Sequence, residues 1–246
     1  MARIELRDAT IRIKDGLSGT GAINEPTTAP VASDTDFDID TVVLNTSVTD
    51  QVPVGARFTV AGETDATQVH VVTARTPSSG TTTNITFSPA LGAGTYVDGG
   101  VLTFEANQVE VKLGDGNLTW TVNKEYEYLL DRGNLDTVRE GDQQPMDVSI
   151  DSVYEHITTG TSEDVTPYDA LNGVGGAAEW VSSSSDLCEP YAVDIEVFHA
   201  QSCGTAQDET TLIPDFRYES LEADLQAATL SMSGRANAVK PTVTRS

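Results

Sequence analysis

The chain is poor in positive charge. Only 14 of its 246 residues are Lys or Arg, four of them Lys, against 38 carboxylates, so the net charge is −24. A small domain stays dispersed with a net charge of only about 2–8 in magnitude, so solubility does not explain the excess. A surface of this sign repels phosphates and excludes ordinary tight binding of DNA or RNA. It leaves open a passage along which DNA slides without sticking. A saline host is a second explanation, because concentrated salt screens self-repulsion to within a few Å. Asp exceeding Glu by 22 to 16 and an abundance of Thr fit that explanation.

Other shortages exclude further classes. No run of 18 apolar residues occurs, so no helical membrane span is expected. The first eight residues, Met1 to Asp8, lack the apolar core of a secretory signal, and the chain is expected to accumulate inside the cell that makes it. Aromatic residues make up 6%. Sugar-binding and adhesive β-sandwiches use exposed Trp or Tyr platforms, so this shortage weighs against them. The two cysteines, Cys188 and Cys203, flank an expected strand over Tyr191–His199. Nine extended residues cover roughly 30 Å, far more than a disulfide spans, and two free thiols are expected.

What is present is β-forming. Thr, Val, Ile and Gly are common, and runs of Ala, Leu, Glu and Lys are missing. Ile11 and Ile13 alternate with Arg12 and Lys14, and Asp15-Gly16 makes a turn. Residues 17–36 are turn-rich and read as a linker. Short strands with sharp turns follow from Phe37 to Phe104, the pattern of a small barrel or sandwich. Longer alternating strands come next. Leu118–Leu129 sets Trp120, Val122, Tyr126 and Tyr128 on one face. Pro145–Ile157 alternates Met146, Val148 and Ile150 with Asp147, Ser149 and Asp151. Tyr191–His199 alternates Val193, Ile195 and Val197 with Asp194 and Glu196. Leu221–Ser233 sets Leu221, Ala223 and Leu225 against Glu222, Asp224 and Gln226, with a change of register near Ala227. The segment Asp131–Gln144 is charged and reads as a long loop. One helix is signalled by Thr166 as N-cap, Pro167 at the first position, Asp169 in the first turn and Gly173 at the end.

The residues give little sign of catalysis. His70, His156 and His199 fall in separate strands, and no nucleophile elbow, phosphate loop or paired-His zinc spacing occurs. Gly173-Val174-Gly175-Gly176-Ala177-Ala178 matches a loose dinucleotide pattern but follows a helix, which removes the phosphate-cradling geometry. The run Asp34 to Asp40 lacks the Gly and Glu of a calcium loop and reads as a solvated acidic linker. No enzyme, cofactor or metal is expected.

Several segments in order carry a resemblance. They are Ile11-Arg12-Ile13-Lys14-Asp15-Gly16, Asn117–Thr121, Tyr126–Gly133, Leu135–Asp142 running into Pro145–Ile157, Thr210–Phe216 and Ser233–Pro241. Together the chain resembles the major tail tube proteins of long-tailed, non-contractile bacterial and archaeal viruses. The resemblance covers residues 1–19 and 106–246, and residues 20–105 stand as an inserted β-rich module, expected on the tube exterior. It implies a mainly β fold, a sandwich or barrel with one short flanking helix. It implies six copies closing into a ring, rings stacking into a hollow tube, and tape-measure, tail-terminator and baseplate proteins as partners in the virion. Asp147, Asp151, Asp194, Glu196, Glu222 and Asp224 are then the candidates for a DNA-repelling channel lining. The segment carrying Asp131, Arg132, Asp136, Arg139, Glu140 and Asp142 is the candidate contact between subunits or rings. A tail terminator, a capsid decoration protein and an adhesive β-sandwich are the competing expectations.

Overall fold

A computed structural model describes residues 9–25, 28–44, 52–77, 83–132, 134–154, 165–184, 186, 188–200 and 208–245. The fold is mainly β, as expected, with a single short α-helix among the described residues. Two sheet systems each enclose a hydrophobic core, and a two-stranded arm stands apart from both.

The first system is a closed six-stranded barrel. Its strands are β2 (Gly19–Ile23), β3 (Asp36–Leu44), β4 (Arg57–Val60), β5 (His70–Pro77), β6 (Thr83–Ser88) and β7 (Val101–Glu105), joined in the order β2-β3-β6-β5-β4-β7. Closure leaves no free edge, which removes the hazard of edge-to-edge pairing. Phe37, Ile39, Phe58, Val72, Ile85, Phe87 and Leu102 point inward from alternate positions and are buried. Phe58 lies at the centre, with ring centroids 5.5 Å from Phe87, 5.6 Å from Phe104 and 6.3 Å from Phe37. Each fully buried Phe contributes about 1.5–3 kcal/mol, so this cluster dominates the barrel core.

Two sequence expectations change here. The linker expected over residues 17–36 contains β2, which joins β3 and β7 and completes the barrel. The acidic run Asp34–Asp40 is also structured. Phe37 and Ile39 enter the core, and Asp36 and Asp38 share their strand on the outward side.

The second system starts before the barrel and resumes after it. It comprises β1 (Ala9–Lys14), β8 (Gln108–Val111), β9 (Leu118–Thr121), β12 (Met146–Val153), β13 (Val193–His199), β14 (Glu209–Asp224), β15 (Thr229–Ala236) and β16 (Thr242–Arg245). The order is β8-β1-β13-β14-β15-β12-β9, all antiparallel, and β16 extends the β15 side of β14. Ile11, Ile13, Met146, Val148, Ile150, Val193, Ile195, Ile213, Phe216, Leu230 and Met232 line one face and form the core. The terminal strands β8 and β9 are consecutive in the chain. The turn between them draws the sheet edges together, and Val153 N–H donates to the Lys112 carbonyl at 2.8 Å.

The segment expected as one strand with a register change, Leu221–Ser233, is a hairpin. β14 ends at Asp224, the turn has Ala228 at φ 51°, and β15 returns along β14. A bulge between Tyr218 and Ser220 lets β14 continue. Gly234 is required opposite it, because a Cβ there would lie 2.1 Å from the Arg217 carbonyl oxygen.

The helix α1 (Pro167–Asn172) forms as its signals predict. Thr166 and Asp169 make a reciprocal capping box, and Gly173 closes the helix in the left-handed region at φ 61°. Ala170 and Leu171 join the core, and the Tyr191 hydroxyl donates to the Ala170 carbonyl at 2.9 Å. A 3-10 turn follows at Gly175–Ala177.

Candidate functional site

The six candidate carboxylates Asp147, Asp151, Asp194, Glu196, Glu222 and Asp224 project from one face of the second sheet, opposite its core. The register fixes this. Asp151 pairs with Ser231, which pairs with Glu222 across the next strand. Their neighbours Ile150, Met232 and Ile195 are buried on the other side. The face is not uniform. Asp147, Asp151, Glu222 and Asp224 are exposed on β12 and at the far end of β14, and among the described residues the one ion pair to these four comes from Arg235, which is 3.3 Å from Asp147 and 3.7 Å from Glu219.

Asp194 and Glu196 sit differently. Glu196 accepts from Lys14 at 2.9 Å and from Arg12 at 3.1 Å. Burial pushes its carboxyl up, but the hydrogen bonds and charges of Lys14 and Arg12 outweigh this and hold it below the usual value. Asp194 is half-buried and accepts from the Asp215 N–H at 2.9 Å, and burial raises its carboxyl. Unpaired acidity is therefore concentrated on Asp151, Glu222 and Asp224. Strand alternation predicts the polar side of each strand but carries no information on which carboxylates meet a cation across the sheet.

The second feature corrects two expectations. Leu118–Leu129 is not one strand with a core-facing side. It breaks at Val122 and Asn123, where β9 leaves the sheet and β10 (Lys124–Asp131) begins. Asp131–Gln144 is not a loop, since β11 (Asn134–Gln143) pairs with β10 along its whole length, with bulges at two points. Thus Asp131 and Arg132 lie at the tip, and Asp136, Arg139, Glu140 and Asp142 lie along the returning strand. Among the described residues the hairpin pairs with no other strand, and every residue of its two strands except Gly141 is exposed.

One face of this arm is apolar toward its tip. Tyr126, Tyr128 and Leu130 stand opposite Glu140, Val138 and Leu135. Tyr128 is 61% exposed and Leu135 is 73% exposed. The other face carries Glu127 opposite Arg139 and Leu129 opposite Thr137. Eight to ten residues reach about 25–30 Å from the sheet. At the arm's root, Asn123 Nδ2 donates to Asp147 at 2.8 Å, and Trp120 is 40% exposed.

The barrel and the second sheet are tied by one buried carboxylate. Asp15, 1% exposed, lies between β1 and β2. Its Oδ1 accepts from the Asn107 N–H at 2.7 Å and the Leu17 N–H at 3.1 Å. Its Oδ2 accepts from Asn107 Nδ2 at 2.7 Å and the Val181 N–H at 3.2 Å. Desolvation raises this carboxyl despite the four donors. Both crossings of the chain, at residues 15 and 107, are therefore fixed to each other and to the segment after α1.

A second buried pair lies in the barrel. His70 Nδ1 is 2.7 Å from the Pro89 carbonyl and must donate to it, and Nε2 is 3.0 Å from Glu63 Oε2. The other Glu63 oxygen accepts from the Gly92 N–H at 2.6 Å and the Tyr96 hydroxyl at 3.3 Å. Burial, then Glu63, push the Tyr96 hydroxyl up to about 12. Both side chains of the pair are enclosed, and the network closes the barrel end rather than opening to a substrate.

His199 ends β13 and is far along the chain from His70 in a separate core, while His156 and Cys203 lie outside the described residues. Cys188 is an exposed free thiol. Among the described residues no group of three His, Cys, Asp or Glu side chains is placed to hold a metal, and no helix is long and apolar enough to cross a membrane. Comparison with protein-family models, with curated proteins and with solved structures finds no match to this chain.

Proposed function

We propose that this chain is a self-assembling structural subunit, the building block of a virus tail tube made of stacked six-membered rings. The observation that carries the reading is the arm. An isolated two-stranded hairpin is marginally stable in water, and this one holds Tyr126, Tyr128, Leu130, Leu135 and Val138 on a solvent-facing side. A segment of that kind is expected to be covered by another copy. Fully burying those five side chains would release about 1.5–3 kcal/mol each before the costs of association.

Two further features support the same reading. The strand β16 pairs with β14 alone among the described residues and is four residues long, which leaves its outer edge available for lateral pairing. The acidic sheet face, turned toward a channel, would repel DNA phosphates and let a genome pass without being held. In that arrangement the barrel lies outside the ring, and tape-measure, terminator and baseplate proteins meet the tube at its ends.

Electron microscopy of the purified chain in low and in multimolar salt tests the proposal. Rings or hollow tubes of uniform width are expected. Replacing Asp151, Glu222 and Asp224 with Lys should leave tubes intact and impair DNA passage. A chain that stays monomeric at every salt and concentration, together with an arm deletion that changes nothing, would overturn the reading.

A further inference from the structure

A groove of about 280 Å³ opens on the core side of the second sheet, between α1 and β14. Leu171, Asn172, Pro190, Tyr191, Phe216 and Tyr218 are among the residues that line it. Leu171 and Phe216 are buried, and Pro190 and Tyr218 are exposed at its mouth. The Tyr218 hydroxyl donates to Asn172 Oδ1 at 2.6 Å, and Asn172 Nδ2 donates to the Tyr168 carbonyl at 2.8 Å, so the rim is already held in place. Tyr168 and Val174, on the helix and just after it, add exposed apolar surface. The volume lies below the range of about 300–1,000 Å³ usual for small-molecule pockets. None of the lining residues has a buried side-chain polar atom without a partner. The groove therefore suits apolar side chains rather than a cofactor.

The register places this groove level with the root of the arm. Tyr218 pairs with Gly234, Gly234 with Val148, and Val148 with Trp120, the residue before the last of β9. The arm leaves beyond Thr121 at that height, three strands from β14 in the sheet order, a distance of roughly 15 Å. A donor and a receptor at one height join copies by rotation with little translation, the condition for closing a ring rather than growing a helix. The tip of the arm fits the groove in chemistry. Leu130 and Leu135 are cross-strand neighbours there, and both are exposed. Arg132 beside them makes no ion pair among the described residues, and the turn leading into Pro190 carries the exposed Asp186.

Resting on the reading of this chain as a self-assembling subunit, we infer that the groove between α1 and β14 receives the arm tip of a second copy, its neighbour in the same ring. Leu130 and Leu135 of the arm enter between Tyr218 and Pro190, and Arg132 lies against Asp186. The contact is heterologous, each copy giving one arm and receiving one. It lies on the core side of the sheet, opposite the acidic face, and so leaves that face free.

The exposed thiol of Cys188, two residues before Pro190, is a built-in reporter of the contact. With Cys203→Ser in the background, Asn134→Cys at the arm tip should be joined by a short bismaleimide to Cys188 of a second copy. A ladder of linked chains is expected, since a heterologous contact propagates. Two variants separate the halves of the contact. Tyr218→Glu alters the groove and keeps the arm, and Leu130→Ser with Leu135→Ser alters the arm and keeps the groove. Each alone should self-associate more weakly by about tenfold or more, and their equal mixture should sediment as a one-to-one dimer. Urea unfolding reports whether each variant is folded. Assemblies without the Cys188 link, folded variants that assemble as wild type, or a mixture that stays monomeric would each overturn the groove as receptor and leave the assembly reading standing. A chain that is monomeric at every salt and concentration would overturn both.

Discussion

Removing the Asp15 carboxylate is the sharpest perturbation the structure offers. Four N–H groups, from Leu17, Val181 and both nitrogens of Asn107, converge on its two oxygens at 2.7–3.2 Å in a site 1% exposed. Asp15→Ala leaves all four without an acceptor. An orphaned buried polar group costs about 1–3 kcal/mol, so the gross loss is at least about 4 kcal/mol. Water entering the space left by the side chain holds the loss near that lower bound. So does relief of a carboxylate that burial itself has made less favourable. Against a typical domain stability of about 5–15 kcal/mol this is a large change.

Asp15→Asn should cost less, about 1–2 kcal/mol. Its oxygen keeps two of the donors, and a flip of the Asn107 amide gives its new NH2 an acceptor. Urea unfolding followed by Trp fluorescence gives both values. A loss below about 1 kcal/mol for the Ala variant would refute the account of the junction.

The pH dependence has a definite sign. A carboxyl raised on folding stabilises fully below its ordinary value of 3.8, and that contribution is lost as pH rises through the raised folded value. The stability gap between wild type and Asp15→Asn should therefore widen as pH falls through that window. A gap that narrows would contradict the assigned direction.

Three further outcomes are expected. Glu63→Ala leaves the buried His70 Nε2 and the Gly92 N–H without the carboxylate they meet and should destabilise the chain by about 2–4 kcal/mol, whereas a thermal midpoint within a degree or two of wild type would rule out that role. Tyr126→Ser, Tyr128→Ser and Leu130→Ser together should leave unfolding by urea nearly unchanged, because all three are exposed, while sedimentation shows self-association lost; assembly as in wild type would reject the arm as a contact. Glu196 has its carboxyl lowered by Lys14 and Arg12 against the effect of burial, so its contribution is present above the ordinary value of 4.5 and lost as pH falls through the lowered one. Wild type should thus lose its advantage over Glu196→Gln on acidification, and a growing advantage would reverse the assignment.

The amino-acid sequence by itself determined the elements whose causes are local. Alternation of Ile11 with Ile13, of Met146 with Val148 and Ile150, and of Val193 with Ile195 specified strands and their buried faces. The capping residues Thr166, Asp169 and Gly173 specified the helix, because each cap satisfies backbone groups within one turn. The same alternation put Asp147, Asp151, Asp194, Glu196, Glu222 and Asp224 on the polar sides of their own strands, and pairing across β12, β15 and β14 joined those sides into one face.

Only the tertiary structure decided the rest, because pairing and burial depend on residues distant in the chain. Tyr126 and Tyr128 alternate as core residues do, and nothing local reveals that no sheet covers them. Asn134–Gln143 is too charged to read as a strand, yet pairing with β10 makes it one. Gly19–Ile23 lacks the apolar content of a strand and is recruited because the barrel needs it to close. Glu196 is neutralised by Arg12 and Lys14 across more than 180 positions, a match that register alone creates. Asp15 reads locally as half of a turn. Its four donors arrive from residues 17, 107 and 181, and the folding of those distant segments onto one point makes it the junction of the molecule.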